Sequence, residues 1–252
     1  MELQDYERLN PRCTLTHGGI EMVYVTPNMH TRWRVESLFE KEPCTIEWIS
    51  TFRPDEVLVD IGANVGMYTI FSAMTRRVRV YAFEPESQNY GLLNRNIVAN
   101  GLDERVKAYC LALSNYTGLG ELHLSQFVAG GSCHSLDEPV NHMHAPVKPA
   151  FSQGCFATSL DELVADNTVP VPDHIKIDVD GFEPAVVSGA EKTIRAGRVR
   201  SLLIEINQNL DDHMRLVETL GKWGFRYDPA QVARVLRPSG PFKGCAEYVF
   251  VR

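Results

Sequence analysis

A strand, a glycine turn and the start of a helix follow one another in Val57-Leu-Val-Asp-Ile-Gly-Ala-Asn-Val-Gly-Met-Tyr-Thr69. The apolar, β-branched beginning is typical of a parallel strand that is covered on both faces. Gly62 and Gly66 allow a tight turn and the close approach of a ligand, and Asn64 tolerates positive φ. Because the first N–H groups of the helix have no partner within it, they face the crevice beyond the strand. The stretch therefore predicts a cofactor site.

The spacing of the two glycines distinguishes between cofactors. Gly62-x-x-x-Gly66 is not the Gly-x-Gly-x-x-Gly dinucleotide fingerprint, and no Lys-Ser/Thr pair follows to make a Walker loop. A second apolar strand, 78–83, runs into Glu84 and Pro85, and Glu84 lies 22 residues after Gly62. An acidic side chain at that distance accepts hydrogen bonds from the ribose of an adenosine. An adenosine without pyrophosphate favours S-adenosylmethionine, although Glu84 could instead be a solvated carboxylate at a strand end.

Composition excludes several classes of protein. The 252 residues, 44% hydrophobic and 23% charged, suit one soluble α/β domain. A net charge of −7 and the lack of long basic runs argue against a nucleic-acid partner. No apolar run approaches the roughly 20 residues of a membrane span, and the polar first ten residues lack a signal-peptide core. The six cysteines form no Cys-x-x-Cys pair, which indicates reduced thiols. We therefore expect a cytoplasmic protein with no membrane partner.

Strands and helices alternate from residue 56 onward, which predicts a parallel sheet. We expect residues 1–55 to form an N-terminal cap, with a strand at 20–26 and part of a helix at 45–51, packed on a cofactor-binding domain at 56–252 within a single structural domain. The further predicted helices are 87–100, 158–164, 183–195 and 212–223, and the further strands are 106–111, 120–124, 174–178, 201–206 and 247–251. The last strand suits an antiparallel closure of the sheet. Residues 128–153, rich in Gly, Ser, Pro and His, are expected to form a loop or flap.

A second motif lies at the end of the strand predicted for 174–178. The run Ile175-Lys-Ile-Asp-Val-Asp-Gly-Phe-Glu183 brings Asp178, Asp180 and Glu183 together just before a helix. A helix N-terminus tolerates such negative charge. Strand ends of an α/β sheet also border its ligand crevice. The alternative is that Asp180 and Glu183 are merely acidic residues of the first helical turn.

Taken together, these motifs resemble FkbM-type S-adenosylmethionine-dependent methyltransferases. The resemblance covers roughly residues 20–225 and rests on the ordered segments 59–69, 83–85, 112–114, 158–163 and 175–183. The family usually carries Glu where this chain has Asp180, so the reach of that carboxylate is shorter here by one methylene. Several ordered motifs are more specific than a single glycine turn.

The resemblance implies a class I methyltransferase fold, which is an α/β Rossmann-like seven-stranded sheet, mostly parallel with one antiparallel strand, and with helices on both faces. It also implies the contacts of the cofactor. Asp60, Gly62, Asn64 and Gly66 would border its methionine end, Tyr68 and Thr69 would open the helix beside them, Glu84 and Pro85 would hold the ribose, Ala112 and Leu113 would lie near the adenine, and Asp178 would face the methionine ammonium or the methyl-transfer zone.

The expected chemistry is a displacement in which an oxygen nucleophile attacks the methyl carbon of a sulfonium, so the protein mainly aligns the reacting atoms. A hydroxyl acceptor also loses a proton, which requires a base or a metal. Asp178, Asp180 and His134, the last in the expected flap, are the candidate catalytic bases. Asp178, Glu205 and Asn207 could offer oxygen ligands to a divalent metal, but a metal is not expected.

The sequence and the resemblance together predict a methyltransferase that uses S-adenosylmethionine, releases S-adenosylhomocysteine and methylates a hydroxyl of a sugar or natural-product small molecule. Transfer to nitrogen or to a protein is an alternative. A nicotinamide-dependent oxidoreductase would require a third glycine and a Tyr-x-x-x-Lys pair that this chain lacks. A non-catalytic cofactor-binding scaffold is a further alternative, against which the carboxylate cluster speaks. The sequence predicts neither the particular acceptor nor the oligomeric state.

Overall fold

The computed structural model describes residues 2–252. Its strands are β1 (Arg12–His17), β2 (Ile20–Val25), β3 (Val57–Ile61), β4 (Arg79–Phe83), β5 (Val106–Tyr109), β6 (Ala112–Leu113), β7 (Gly118–Leu124), β8 (Ser135–Leu136), β9 (Phe151–Thr158), β10 (His174–Ile177), β11 (Ser201–Asn207), β12 (Arg226–Tyr227) and β13 (Cys245–Val251). Its helices are α1 (Leu3–Arg8), α2 (Met29–Glu36), α3 (Leu38–Lys41), α4 (Pro43–Ile49), α5 (Met67–Arg76), α6 (Ser87–Ala99), α7 (Leu160–Ala165), α8 (Glu183–Ser188), α9 (Glu191–Arg195), α10 (Asp211–Lys222) and α11 (Pro229–Val235).

The central element is a seven-stranded sheet in the order β12-β13-β11-β10-β3-β4-β5. The strands β11, β10, β3, β4 and β5 pair in parallel, whereas β13 is antiparallel to both of its neighbours. The predicted mostly parallel sheet with one antiparallel strand is therefore confirmed. Because β3, β4, β10 and β11 run in the same direction, their carboxyl ends meet at one edge, where ligands of such sheets bind.

Both faces of the central sheet are covered, as the apolar run of β3 predicts. Leu58 packs into one hydrophobic cluster with Phe71 of α5. Val59 and Ile61 pack into a second cluster on the other face, together with Leu220 of α10. Successive side chains of a strand point to opposite faces. A strand such as β3, which is apolar at every position but Asp60, must therefore be covered on both sides.

The N-terminal segment packs against the first helices of the sheet. The side-chain oxygen of Asn96 on α6 accepts a hydrogen bond from the backbone N–H of Val25 at 2.7 Å, and the Trp48 indole donates to Ser201 Oγ at 2.7 Å. These buried polar contacts fix β2 and α4 on the domain core. We propose on this basis that residues 1–55 act as a cap on a domain formed by 56–252. No helix within residues 2–252 is both long and apolar enough to cross a membrane.

A second sheet, in the order β6-β9-β7-β8, lies between β5 and β10 in the chain. The predicted strand 120–124 is confirmed as part of β7, but it belongs to this sheet. The prediction of a loop throughout 128–153 is wrong in part, because β8 and the start of β9 lie within it. Residues 151–157 pair antiparallel with the whole of β7, and this pairing overrides their weak strand pattern.

The single helix predicted over 183–195 is also wrong, because α8 ends before Gly189 and α9 starts at Glu191. A Cβ on Gly189 would lie 1.9 Å from the backbone oxygen of Ser114. The close approach of another segment thus coincides with the break. The short elements β12 and α11 escaped prediction because neither is long enough to show a period.

Candidate active site

The glycine turn after β3 has the backbone geometry that its sequence predicts. Gly62, Asn64 and Gly66 have φ values of +78°, +51° and +85°. A Cβ on Gly62 would lie 1.9 Å from the backbone oxygen of Asp178. The turn after β3 and the end of β10 therefore approach each other more closely than any residue with a side chain would permit.

A cavity with an empty volume of about 650 Å³ lies at the carboxyl ends of β3, β4 and β10. We call it the inner cavity. It is lined by Ile61, Gly62, Asn64, Phe83, Glu84, Pro85, Asn89, Leu111, Ala112, Leu113, Leu122, Gly131, Ser132, His134, Leu136, Asp178, Val179, Asp180 and Phe182. The predicted site residues Gly62, Asn64, Glu84, Pro85, Ala112, Leu113, His134, Asp178 and Asp180 are among them.

Four residues that the resemblance placed at the cofactor are not among those that line the inner cavity. Asp60 is buried, and its Oδ2 accepts a hydrogen bond from the Thr69 hydroxyl at 2.5 Å. Gly66 precedes α5, where a Cβ would meet the Leu93 side chain at 2.4 Å. The Tyr68 ring centroid lies 5.3 Å from the Lys176 ammonium. The contacts of Asp60, Thr69 and Gly66 hold β3 and α5 in place, and the contact of these four residues with cofactor stays a prediction.

Glu84 is buried at the end of β4. Its carboxylate accepts hydrogen bonds from the backbone N–H groups of Asn64 at 2.7 Å and Glu86 at 2.9 Å. Only 5% of the residue is exposed, so the alternative of a solvated carboxylate is wrong. Burial raises the pKa of Glu84 to about 7, although these backbone hydrogen bonds favour the charged form. A buried carboxyl group in a cavity, with its pKa near neutrality, is typical of a functional site.

Asp178 forms an ion pair with a lysine that sequence reasoning did not single out. The Lys176 ammonium, 2% exposed, lies 2.9 Å from Asp178 Oδ2. Burial alone would raise the pKa of Asp178, but Lys176 and Lys41 outweigh it and lower the pKa to about 2. Asp178 is therefore ionised at neutral pH and is a weak proton acceptor. Its charge suits the binding of a cation better than general-base catalysis.

Asp180 differs from Asp178 in its electrostatics. It has a φ of +55°, and its carboxylate accepts a hydrogen bond from the backbone N–H of Cys133 at 2.7 Å. Burial and the neighbouring charge of Asp178 raise the pKa of Asp180. Two close carboxylates cannot both ionise easily, so one keeps a low pKa and the other a high one. The higher pKa makes Asp180 the stronger base of the two.

Glu183 and two histidines hold the backbone around Asp180. The fully buried carboxylate of Glu183 accepts hydrogen bonds from the N–H groups of Val179 at 2.9 Å and Gly181 at 3.1 Å. Burial raises the pKa of Glu183 to about 8. The backbone oxygen of Gly181 lies 2.9 Å from His144 Nε2 and 3.2 Å from His213 Nε2. Glu183 is therefore more than an acidic residue of a first helical turn, since it orders the loop that carries Asp180.

The segment 128–134, which we call the flap, lies against both the glycine turn that follows β3 and α6. The oxygen of Gly131 accepts hydrogen bonds from Asn64 Nδ2 at 2.7 Å and from Asn89 Nδ2 at 3.1 Å. The N–H of Gly130 donates to Asn89 Oδ1 at 2.7 Å. Asn64 thus combines the positive φ of the glycine turn with a side chain that fastens the flap.

His134 lies at the end of the flap. Its Nδ1 accepts a hydrogen bond from the N–H of Ser125 at 3.3 Å, and its Nε2 is buried without a partner among the described residues. Burial lowers the pKa of His134 to about 4. The imidazole is therefore neutral at pH 7, and it is a weaker base than an ordinary histidine.

A second cavity adjoins the inner one and has an empty volume of about 880 Å³. This outer cavity is lined by His30, Trp33, Arg34, Lys41, Gly62, Asn64, Ser132, Asp178, Asp180, Glu205, Arg237 and Phe242. Gly62, Asn64, Ser132, Asp178 and Asp180 line both cavities. These five shared residues, which we call the common wall, border both cavities. A group in either cavity would lie next to them.

The structure gives Glu205 and Asn207 partners other than a metal. The Arg237 guanidinium lies 2.7 Å from Glu205 and 2.5 Å from Glu247. Asn207 donates to the oxygen of His142 at 3.3 Å and accepts from Asn209. Arg237 supplies the positive charge that the metal hypothesis assigned to a cation, so these contacts give that hypothesis no support.

Sequence reasoning missed part of both cavities. The inserted sheet contributes Leu122 and Leu136 to the inner cavity, and α2 contributes Trp33 and Arg34 to the outer one. None of these residues follows a strand of the central sheet, so the rule that strand ends carry the site could not find them. Lys176 lies within the 175–183 motif, two positions before Asp178. Residues two apart on a strand share a face, and this spacing was the signal that could have predicted their ion pair.

The strand order and the antiparallel strand β13, next to the edge of the sheet, are those of the class I methyltransferase fold. The two cavities lie at the carboxyl edge of this sheet. The family model described as Methyltransferase FkbM domain matches residues 60–227. The chain belongs to the FkbM methyltransferase family, as its motifs predict.

Similar proteins include the hexuronic acid methyltransferase AglP of Haloferax volcanii, which is 26% identical over 194 residues that cover 77% of this chain and 74% of AglP. The AMB antimetabolite synthetase AmbE of Pseudomonas aeruginosa is 24% identical over 63% of this chain, which matches 9% of AmbE. The crystal structure of methyltransferase FkbM from Methylobacillus flagellatus KT is 15% identical with a TM-score of 0.49, and the match covers 78% of this chain and 44% of that one.

Proposed function

We propose that this methyltransferase uses S-adenosylmethionine and binds it in the inner cavity. The observation that carries the proposal is the common wall, because the cavity that holds the buried carboxylate of Glu84 shares Asp178 and Asp180 with a second cavity. A methyl donor and an acceptor need two such spaces that meet at one point. A nicotinamide cofactor would require a pyrophosphate cradle that the glycine turn does not provide.

The inner cavity suits S-adenosylmethionine in its chemistry. Apolar side chains near Ala112, including Leu113, Leu122 and Leu136, offer a surface for an adenine. Glu84 would accept hydrogen bonds from the ribose, with Pro85 beside it. When bound, the cofactor supplies a methyl group on a positively charged sulfonium.

Charge also supports this assignment. Among the described residues, Asp178 and Asp180 line the inner cavity whereas no lysine or arginine does, and the buried Asp60 Oδ1 has no hydrogen-bond partner. The pKa values of Asp60 and Asp180 are raised, first by burial and also by the charge of Asp178. Excess negative charge of this kind favours a cationic ligand. We propose that Asp178 attracts the positive groups of the cofactor.

We propose Asp180 as the general base. It lies on the common wall, its pKa is raised, and the N–H of Cys133 orients its carboxylate at 2.7 Å. The proton of an acceptor hydroxyl would pass to this carboxylate while the oxygen bonds to the methyl carbon, the carbon–sulfur bond breaks and S-adenosylhomocysteine leaves. Asp178, with a pKa of about 2, is a weaker proton acceptor, and burial lowers the pKa of His134 to about 4.

The acceptor that we propose is a hydroxyl of a small sugar or natural product. The similarity to AglP, a hexuronic acid methyltransferase, supports a sugar, and the outer cavity borders the inner one along the common wall. The net charge of −7 speaks against a nucleic acid. Methyl transfer to nitrogen or to a protein is the second candidate within the same chemistry.

The test is transfer of the radiolabelled methyl group from S-adenosylmethionine to a panel of sugars, polyketides and small peptides. We expect labelled product with a hydroxyl acceptor, and a loss of at least about 100-fold in kcat for Asp180→Asn, within the range for removal of a general base. Binding of S-adenosylmethionine by that variant should be nearly unchanged. Label found only in an amine or a peptide would contradict an oxygen acceptor. Wild-type activity of Asp180→Asn would show that Asp180 is not the general base.

A further inference from the structure

The lining of the outer cavity carries charges of both signs. Asp178 and Asp180 lie on the common wall, whereas Arg34 and Lys41 come from the helical N-terminal segment. Lys41 pairs with Glu42 at 2.7 Å, and its charge also lowers the pKa of Asp178. An acceptor in this cavity would therefore meet both carboxylates and cations.

Arg34 differs from the other cations of the cavity because it has no carboxylate partner within residues 2–252. Its Nε donates to the backbone oxygen of Gly130 at 2.5 Å, and its other two nitrogens have no hydrogen-bond partner among the described residues. Arg237 is paired twice, with Glu205 and Glu247. A half-buried guanidinium with an unused pair of donors is suited to bidentate binding of an anion.

Arg34 is also held in place. The side chain of Asn28, the N-cap of α2, accepts from the N–H of Thr31 at 2.8 Å and donates to the oxygen of Ala129 at 3.0 Å. Together with the bond from Arg34 to Gly130, these contacts fasten α2 to the flap. The guanidinium is thus pre-positioned, and a ligand that binds it loses less side-chain entropy.

Trp33 adds an aromatic surface to the lining of the outer cavity. The residue precedes Arg34 on α2, lines the outer cavity and is 52% exposed. Exposed tryptophan is amphipathic and rigid, and it offers a broad contact to a ring. The neighbouring His30 lies with its ring at 6.3 Å from the Trp33 ring, and burial lowers its pKa, so this histidine adds no positive charge at neutral pH.

We propose that Arg34 and Trp33 select an acidic sugar or glycoside as the acceptor. The anionic group, a carboxylate or a phosphate ester, binds the free edge of the Arg34 guanidinium, and the ring lies against Trp33. The reacting hydroxyl then lies toward Asp180. This inference rests on the proposed function, because it assigns the acceptor of the same site.

The test is calorimetric titration of the protein, with and without saturating S-adenosylhomocysteine, by three probes. These are 4-nitrophenyl β-D-glucuronide, 4-nitrophenyl β-D-glucoside and 4-nitrophenyl β-D-glucoside 6-phosphate, which differ only at carbon 6. We expect an anionic probe to bind at least about tenfold more tightly than the neutral glucoside, as a charge-assisted hydrogen bond predicts. The two anionic probes distinguish a carboxylate from a phosphate ester.

Arg34→Gln should remove the preference for the anionic probe and leave binding of the neutral glucoside within about twofold. Arg32→Gln is the matched control, because Arg32 lies on the same helix, is paired with Glu36 at 2.7 Å and does not line the cavity. Trp33→Ala should weaken all probes that bind.

Equal binding of the three probes, a preference that survives Arg34→Gln, or failure of both anionic probes to bind would each overturn the inference. A protein that transfers methyl groups but shows no charge preference would refute this inference alone, whereas a protein that binds no S-adenosylhomocysteine would refute the proposed function.

Discussion

The Lys176 ammonium donates a hydrogen bond to Asp178 Oδ2 at 2.9 Å, directly beside the wall that the two cavities share. Lys176 is almost fully buried, and its ammonium lies 5.3 Å from the centroid of the Tyr68 ring. The pair fixes the charge of Asp178 and its position. A buried ion of this kind is stable only while its partner is present.

Asp178→Asn should therefore reduce stability as well as activity. The variant leaves the Lys176 ammonium without its nearest counter-ion, and we expect a loss of about 3 kcal/mol in the free energy of unfolding, the lower end of the range for a broken buried pair because Asp178 is partly exposed. Urea denaturation measures this change. Lys176→Met combined with Asp178→Asn should recover part of the loss, and a single Asp178→Asn as stable as wild type would contradict the pairing.

Gly62→Ala should disrupt the fold at the site. The new Cβ would lie 1.9 Å from the oxygen of Asp178 at a residue with a φ of +78°, so we expect a loss of more than about 2 kcal/mol or a failure to fold. Gly91→Ala is the matched control. Gly91 lies within α6 with nothing near its Cβ position, and its substitution should stabilise the protein by about 0.5–1 kcal/mol. Thermal melts of the two variants that moved in the same direction would contradict the account.

Cofactor binding should depend on pH through Glu84. Burial raises the pKa of Glu84 from 4.5 to about 7, so the carboxyl group is mostly neutral at pH 6 and mostly charged at pH 8. Ribose hydroxyls bind the charged form more strongly, so affinity should fall by about tenfold from pH 8 to pH 6. The amino group of the cofactor titrates in this range as well. The readout is therefore the difference between wild type and Glu84→Gln, which should lose this part of the dependence. Parallel pH profiles would exclude Glu84 from the effect.

The flap should open more readily without the side chain of Asn64. Asn64→Gly keeps the positive φ of +51° accessible but removes the donor that binds the Gly131 oxygen at 2.7 Å. We expect faster amide hydrogen exchange in 128–134 and a weakening of cofactor binding by about fivefold, which corresponds to one ordinary hydrogen bond of about 1 kcal/mol. Asn94→Ala removes a half-buried amide of α6 that, among the described residues, bonds only its own helix at Tyr90, and it should leave the exchange of the flap unchanged. Equal exchange in Asn64→Gly and wild type would show that the contacts of the flap with Asn89, Asn28 and Arg34 hold it without Asn64.

The central sheet was predictable from sequence because its strands carry strong local signals. Val57–Ile61 is apolar at nearly every position, Ser159 caps α7 by accepting from Glu162 N–H at 3.2 Å, and Gly62 and Gly66 mark the turn. Each signal depends on a few neighbouring residues. The parallel order then follows from the alternation of strands and helices.

The inserted sheet and the outer cavity were not predictable in the same way. Strand β9 exists because its residues pair with residues of β7 that lie 27 to 39 positions away along the chain, and its own composition is mixed. Arg34 and Trp33 reach the site only through the packing of α2 on the flap, and no spacing within the sequence reveals that contact. Asp178 and Asp180 look equivalent in sequence, yet Lys176 and burial give them pKa values on opposite sides of the ordinary one.

The most direct test of the central claim is calorimetric titration of wild type, Glu84→Ala and the exposed control Glu104→Ala with S-adenosylmethionine and with NAD. Wild type and Glu104→Ala should both bind S-adenosylmethionine. Glu84→Ala should lose about 1.5–3 kcal/mol in the free energy of binding, the value of hydrogen bonds to a charged group, and none of the three proteins should bind NAD. Tight binding of NAD without S-adenosylmethionine, or the same affinity in Glu84→Ala as in wild type, would contradict it.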